Sequence, residues 1–573
     1  MSQGGKRRLT KKERRRLQQD ERASRGPEPS EDASIDEVLA GPMLVQEGLG
    51  ALQQGRPQEA LAMFRHVLDA MPDHPDALNL GGIAAFEAGE TEEALDLLER
   101  AATGYPDEVD VHNNLGNVLK ALGRLGEAEA AYRRTLAQNP DHPDGLYNLG
   151  ITLEALGRPG EAEEVYRRAV EISPNFQAAR FNLANSLKAL GRLDEAEAVY
   201  RELLDAAPEH ADGHNNLAGV LQETGRYDEA ASQYGLALEH DPGHGEARYN
   251  LGTVLQEQDK LEEAVESYRR ALEASPEHAG AMVNLGYALQ KLARHGEAEA
   301  AYRLAVEAAP DYAGAATNLA DLYLEVGDPA KALDACDSYL ARHPGDTAAM
   351  AFKCVVLTEL GEATAATDLL GLDDLVRPAM MAVPDGYADI AGFTTALAEH
   401  VLAHPTLVDS PLSHATRKGK HSGELLADPK GPIADLESVI RDRVEAYMAA
   451  LPDRSEHPFI DRKPAGFGLS IWGVVMPAQG HQIAHIHPAA WLSGVCYPLV
   501  PDLIREDDQG HAGWIAFNRP PDHFHSKAAP DIRYHKPETG LMILFPSYLY
   551  HHTVPFEAEA TRISIAFDIL PEG

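Results

Sequence analysis

Near the end of the chain, His485-Ile486-His487 is followed by His551 and then by Arg562-Ile563-Ser564. Strand side chains alternate between two faces, so residues at i and i+2 point the same way. His485 and His487 then share a face, and His551 on a later strand can close them into one side of a metal's coordination sphere. Arg562, eleven residues beyond His551, supplies a fixed cation for an acidic co-substrate. Imidazole donors with open positions beside them suit a mononuclear iron site that activates oxygen. A single strand histidine is more often a satisfied structural residue, but three at these positions with an Arg-x-Ser pair behind them read as a site.

The elements that must position these residues lie beyond about residue 371, where the composition changes. All three tryptophans (Trp472, Trp491, Trp514) and 14 of the 25 histidines fall there. Residues 386–403 and 433–451 read as amphipathic helices. Short apolar runs punctuated by Gly and Pro follow: Leu469–Val475, Leu492–Leu499, Trp514–Phe517, Leu541–Phe545 and Arg562–Ile569. Such runs without long helices between them predict a jelly roll, here a double-stranded β-helix with flanking helices. His511, His523, His525 and His535 sit in a Gly/Pro-rich insert (510–539) that reads as a lid or surface loop, and His481 lies in a loop.

Roughly residues 380–573 resemble a family of 2-oxoglutarate- and Fe(II)-dependent oxygenases. The likeness is carried by His485-Ile-His487-Pro488, Trp491-Leu-Ser-Gly-Val-Cys-Tyr497, Phe545-Pro-Ser-Tyr-Leu-Tyr-His551, Val554-Pro555 and Arg562-Ile-Ser564. The resemblance implies that His485, His487 and His551 ligate Fe(II), and that Arg562 and Ser564 bind the distal carboxylate of 2-oxoglutarate. Tyr497 reads as core or pocket wall, and in the second case it can hydrogen-bond the co-substrate. The implied chemistry couples O2 and the decarboxylation of 2-oxoglutarate to succinate with oxidation of an unactivated C–H bond. His487 stands where the wider superfamily has Asp or Glu. Three-histidine iron also serves dioxygenases that use no keto-acid, and Arg562 with Ser564 favours 2-oxoglutarate.

Upstream, proline recurs at 72, 106, 140, 174, 208, 242, 276, 310 and 344, and alanine keeps the same 34-residue step from 60 to 332. Thirty-four residues is the tetratricopeptide period. Asn114-Leu115-Gly116, Leu119, Gly123-Arg124, Glu127-Ala128, Tyr132 and Pro140 resemble that family's two-helix pattern. Small residues such as Gly116 and Ala128 let paired helices approach, and the proline ends the second helix. Nine repeats are expected over 41–346, forming an all-α superhelical solenoid, with 347–371 as capping helices and linker before an oxygenase-like domain at 372–573. Such a solenoid implies a protein or peptide substrate in its concave groove. Asparagine fills the sixth repeat position at Asn114, Asn148, Asn182, Asn216, Asn250, Asn284 and Asn318. Helix propensity does not select Asn there, whereas a primary amide can pair with any peptide backbone. The series is similar to the asparagine ladder of O-linked N-acetylglucosamine transferases, which implies substrate-binding amides. Alternatively, the amides bridge neighbouring repeats.

A formal net charge of −39 argues against general nucleic-acid binding. Only the basic tail, 1–40, has the charge for such contacts: residues 1–25 carry ten Lys/Arg against three Asp/Glu. Its plainer reading is a disordered, solubilising segment. Three scattered cysteines (Cys336, Cys354, Cys496) fit a reducing cytoplasm. No stretch has the apolar length of a membrane span, about 18 residues. The sequence therefore predicts a hydroxylating dioxygenase acting on a protein held by the repeats. Its rival is a repeat scaffold whose jelly roll is silent or keto-acid-independent.

Overall fold

The computed structural model describes residues 35–410, 415–427, 429–452, 454, 456–477, 479–505, 508, 510–556 and 560–572. Most of the basic tail, residues 1–34, lies outside them. The chain forms two compact units divided between Val254 and Leu255. In the first, helices pair as antiparallel hairpins: Pro75–Glu87 with Thr91–Gly104, Val109–Ala121 with Leu125–Gln138, and so on to Ala211–Glu223 with Tyr227–His240. In each of those two hairpins and their successors the second helix ends two residues before the periodic proline, whose ring disfavours a helical residue ahead of it. The small eighth residue has a measurable reason: a Cβ built on Gly116 would lie 2.5 Å from the ring of Tyr132. Tyr132, Tyr166, Tyr200 and Tyr234 are buried at matching positions and give four successive hairpins an aromatic core, a place that Leu98 takes in the hairpin before them.

The second unit continues the pattern with Ala279–Lys291 and His295–Ala308, Ala313–Glu325 and Pro329–Leu340, then Thr347–Leu360 and the shorter Ala363–Leu370. Among the described residues, twelve strands follow the last hairpin. They are β1 (Arg377–Met380), β2 (Val408–Asp409), β3 (Thr416–Arg417), β4 (Lys420–His421), β5 (Gly466–Met476), β6 (His481–Gln482), β7 (Leu492–Leu499), β8 (Ile515–Phe517), β9 (Arg533–His535), β10 (Leu541–Pro546), β11 (His551–Thr553) and β12 (Arg562–Glu572). One sheet runs β1-β10-β7-β12-β5-β4-β2 and a smaller one β11-β8-β9, while β3 pairs with β6. A bridge between His485 and His551 brings the chain just after β6 alongside β11. From β7 to β12 the chain passes repeatedly between the large and small sheets.

β12 lies between β5 and β7 and pairs antiparallel with both. Ile563, Ile565, Phe567 and Ile569 are fully buried on one of its faces. Helix Ile390–Ala403 covers the neighbouring sheet surface through Phe393, Leu397 and Val401, so closely that a Cβ on Gly473 would meet Val401 at 2.6 Å. The opposite face of β12 is left for Arg562, Ser564, Ala566 and Asp568. Alternation along one strand thus divides core from site.

The insert is not a free lid. Two of its segments are the strands β8 and β9, and the stretch between them docks on the last repeat helices. His525 donates its backbone N–H to Asp321 (2.9 Å), and its ring contacts the same carboxylate at 2.7 Å. Glu359 accepts from Ser526 Oγ (3.0 Å), Lys527 N and Ala528 N (both 2.7 Å). Burial alone would raise its pKa, but these donors hold the Glu359 carboxyl below its usual range. Phe524 packs edge-on against Phe352 at 4.9 Å. A Gly/Pro-rich composition marks irregular backbone, but carries no sign of these acceptors two hundred residues upstream. Among the described residues no helix is long and apolar enough to cross a membrane.

The turns inside the hairpins need a left-handed residue, and glycine supplies it at Gly123 (φ +72°) and Gly225 (φ +75°). Two repeats break the rule with Asp259 (φ +59°) and Ala293 (φ +56°). A Cβ in that conformation costs about 1–2 kcal/mol. Ala293→Gly should therefore raise the unfolding free energy of the second unit by about 1 kcal/mol, read from urea unfolding, while Gly123→Ala should lower that of the first.

Candidate metal centre

His485 and His551 exchange two backbone hydrogen bonds, His485 N to His551 O at 3.1 Å and the reverse at 3.0 Å. Directly paired residues in an antiparallel ladder carry their side chains on the same face, so the two rings meet with centroids 4.2 Å apart. His487, two residues along, brings its ring to 5.2 Å from His485 and 5.0 Å from His551. One ring nitrogen from each of the three lies within 4.8 Å of the others.

Which nitrogen converges follows from the hydrogen bonds. Nδ1 of His485 donates to Ile483 O (2.8 Å), Nδ1 of His551 to Leu549 O (3.0 Å), and Nδ1 of His487 to Asp568 Oδ1 (2.6 Å). A donating Nδ1–H fixes the tautomer with the lone pair on Nε2. No Nε2 of the three makes a hydrogen bond to the described residues. Burial, then the neighbouring His487, pushes the pKa of His485 down to about 4. His551 is driven well below its usual value by burial first and by His485 and His487 next. Imidazole nitrogens that converge in this way are the donor set for Zn, Cu, Fe or Ni rather than for Mg or Ca.

The pocket around them is lined from both sheets by Trp472, Tyr497, Arg562 and Ser564 on one side and Ile515, His551 and Thr553 on the other. Its volume, about 150 Å³, admits a small chelating molecule or several waters. Arg562 is 2% exposed. It donates to Gly513 O (2.5 Å) and Thr553 Oγ1 (2.9 Å), while its Nε is buried without a partner. No carboxylate among the described residues pairs with it. Burial lowers its pKa, against the effect of Tyr497, whose ring centroid is 5.8 Å from the guanidinium carbon. A cation desolvated without an anion is costly, and the arrangement fits an acidic ligand at that spot. The hydroxyls of Ser564 and Tyr497 are also uncommitted to the described residues. Burial raises the Tyr497 hydroxyl to about 12, which keeps it a protonated donor. The residues present therefore fit both Fe(II) and a keto-diacid beside it.

Six of the residues singled out by sequence thus share one pocket: His485, His487, His551, Arg562, Ser564 and Tyr497. His552 points away from it, as strand alternation requires, and His481, His511, His523, His525 and His535 do not line it. Sequence reasoning missed Asp568, Thr553, Trp472, Gln482 and His421. For Asp568 a signal existed, since it lies an even number of residues from Arg562 on one strand.

The seven asparagines lie elsewhere, half-buried on the first helices of successive repeats. In the first unit their amides reach the preceding repeat: Asn114 to Asn79 (3.0 Å), Asn148 to Asn113 (3.3 Å), Asn182 to the Tyr166 hydroxyl (3.4 Å), Asn216 to Asn185 (2.8 Å) and Asn250 to Asn215 (3.3 Å). These are the bonds of the bridging alternative. A primary amide has two donors and an acceptor, so one such bond does not exhaust it.

Residues 470–568 match a family described as "Putative 2OG-Fe(II) oxygenase". Tetratricopeptide-repeat families match 45–109, 113–175, 249–313 and 317–370, with further matches over 153–220 and 209–277. A search among curated proteins found no match. Among solved structures the chain is similar to YrrB, a tetratricopeptide-repeat protein with an unusual peptide-binding site (22% identity, 32% of this chain and 95% of that one, TM-score 0.30). It is similar also to PilF of Pseudomonas aeruginosa (21%, 37% and 97%, TM-score 0.34) and to a tetratricopeptide-repeat protein of Parabacteroides merdae (19%, 44% and 99%, TM-score 0.35). Likeness at this level says nothing of function. By its family matches, the chain is a tetratricopeptide-repeat protein that carries a C-terminal domain of the 2OG-Fe(II) oxygenase kind.

Proposed function

We propose that this protein is an Fe(II)- and 2-oxoglutarate-dependent dioxygenase that hydroxylates a protein or peptide held by its repeats. The observation that carries the reading is the pairing, in one pocket, of three uncommitted Nε2 lone pairs with a buried guanidinium that has no acid partner. His485, His487 and His551 hold the metal. Fe(II) there supplies the oxidative chemistry that turns O2 and the keto-acid against a C–H bond.

The remaining work belongs to the chain. Arg562 and Ser564 seat the distal carboxylate of 2-oxoglutarate, and Tyr497 donates a further hydrogen bond. The unspent N–H groups of the planar guanidinium suit a two-oxygen contact that a lysine cannot reproduce. Packing from Trp472, Phe545 and Ile515 keeps the pocket largely apolar, which limits water and strengthens these contacts. Substrate recognition falls to the repeats, where Asn114, Asn148, Asn182, Asn216, Asn250, Asn284 and Asn318 offer their remaining amide capacity to an extended backbone. The three cysteines are buried and unpaired, in keeping with a reducing cytoplasm.

His485→Ala and His551→Ala should each abolish metal uptake and the conversion of 2-oxoglutarate to succinate, with the helical circular dichroism of the repeats retained. Near-normal turnover in either variant would reject the ligand set. Arg562→Lys should raise the 2-oxoglutarate requirement at least tenfold and Arg562→Ala further, as expected for charge-assisted bonds of about 1.5–3 kcal/mol. Ser564→Ala should raise it only about two- to tenfold, for one neutral bond of about 0.5–1.5 kcal/mol. Metal affinity should not follow that series. If the keto-acid dependence of Arg562→Ala equals that of the native protein, the scaffold or keto-acid-independent reading stands instead.

Replacing Asn182, Asn216 and Asn250 together with Ala removes three inter-repeat bonds but adds helix propensity at each position. These effects oppose one another, so the melting temperature should move little. Capture of protein substrates should fall while uncoupled 2-oxoglutarate turnover persists. A large loss of thermal stability with unchanged capture would assign the amides to bridging alone.

A further inference from the structure

His487 differs from the other two histidines in what orients it. His485 and His551 donate their Nδ1–H to main-chain carbonyls, whereas His487 donates to a carboxylate, Asp568 Oδ1, at 2.6 Å. The same oxygen accepts from Ser493 Oγ at 2.7 Å. Asp568 has a side-chain exposure of 14%, and no Lys or Arg among the described residues forms an ion pair with it. Among the described residues its side-chain partners are an imidazole and a hydroxyl, with no Lys or Arg to offset the cost of its desolvation.

Its position is set by β12. Asp568 lies opposite Ser470 of β5 and Ser493 of β7, held from both sides in the centre of the large sheet. It shares a strand face with Arg562, so one strand delivers both the cation for a co-substrate and an anion behind a metal ligand. The place that a carboxylate ligand would hold in a two-histidine, one-carboxylate site is filled here by His487. The carboxylate is still present, one hydrogen bond further out.

We propose that Asp568 is a positioning residue that returns to the metal centre, through His487, the negative charge that a histidine ligand takes away. The inference rests on His487 being a ligand. A carboxylate accepting from a ligand's Nδ1–H fixes the ring's orientation and makes Nε2 more basic. A strengthened donor at position 487 favours M(II) binding and stabilises the higher oxidation state of iron relative to the lower.

Substitution separates charge from orientation. Asp568→Asn keeps an oxygen for the His487 and Ser493 donors and removes only the charge, Asp568→Ala removes both, and Ser493→Ala leaves the His487 contact in place. Mn(II), which resists oxidation in air, is titrated into the metal-free full-length proteins by calorimetry, and the ferric/ferrous midpoint potential is measured on iron-loaded samples. Asp568→Asn should weaken Mn(II) binding about 10–100-fold and shift the potential positive, with the metal-free melting temperature unchanged. Ser493→Ala should stay close to the native protein in both. Native-like affinity and potential in Asp568→Asn, with loss only in Asp568→Ala, would overturn the proposal and leave orientation as the residue's role. Failure of the native protein itself to bind Mn(II) would instead remove the metal reading, and the proposal with it.

Discussion

Two backbone hydrogen bonds exchanged by His485 and His551 decide what this domain can do. They join strands more than sixty residues apart in sequence and fix a register in which both side chains face inward. A shift of one residue would send the rings to the outside of the sheet. His487, two residues along, is fixed by its own backbone bond to Ser547 O (3.1 Å) and by the contact of its ring with Asp568. The surrounding strands can be read as support for that register: β8 pairs with β11 on its other edge, and Phe517 and Phe545 pack against the His551 ring.

The second governing feature is charge held in a dry place. Three imidazoles and one guanidinium line a pocket with a few waters' worth of room, and one carboxylate stands behind it on the far side of His487. β12 provides both charged groups from one face, while its other face is isoleucine and phenylalanine. Among the described residues, Arg562 pairs with no Asp or Glu and Asp568 with no Lys or Arg. Structural ion pairs are usually closed on themselves, so a buried Arg with no carboxylate partner among the described residues is the kind of group that an acidic ligand would balance.

Much of this was legible in the sequence, for particular reasons. The 34-residue metre is repeated nine times, so the repeat signal does not depend on any one residue. Leu492–Leu499 and Arg562 onward were readable as strands from their apolar runs, whereas His485 and His487 lie on an isolated bridge and the loop after it rather than on the strand their spacing suggested. What escaped was either very short or very distant. Pairs such as β2 with β4 and β3 with β6 are two residues long and have no periodicity to detect. The docking of the 518–532 stretch depends on Asp321 and Glu359, which in sequence look like ordinary helix-surface acids. Asp568 was recoverable from its parity with Arg562, but a carboxylate near a chain terminus reads first as a solvated charge. Asp259 and Ala293 replace glycine at a position that only the turn's backbone angle reveals as special.

The account turns on a metal and a keto-acid sharing one pocket, and their linkage is directly measurable. Calorimetric titration of 2-oxoglutarate into the full-length protein, anaerobically, with and without one equivalent of Fe(II), tests it. The account predicts one 2-oxoglutarate per chain with Fe(II) present, and binding weakened strongly when the metal is withheld, because the co-substrate is held at one end by the metal and at the other by Arg562. Equal affinity with and without Fe(II), or no binding in either case, would contradict it.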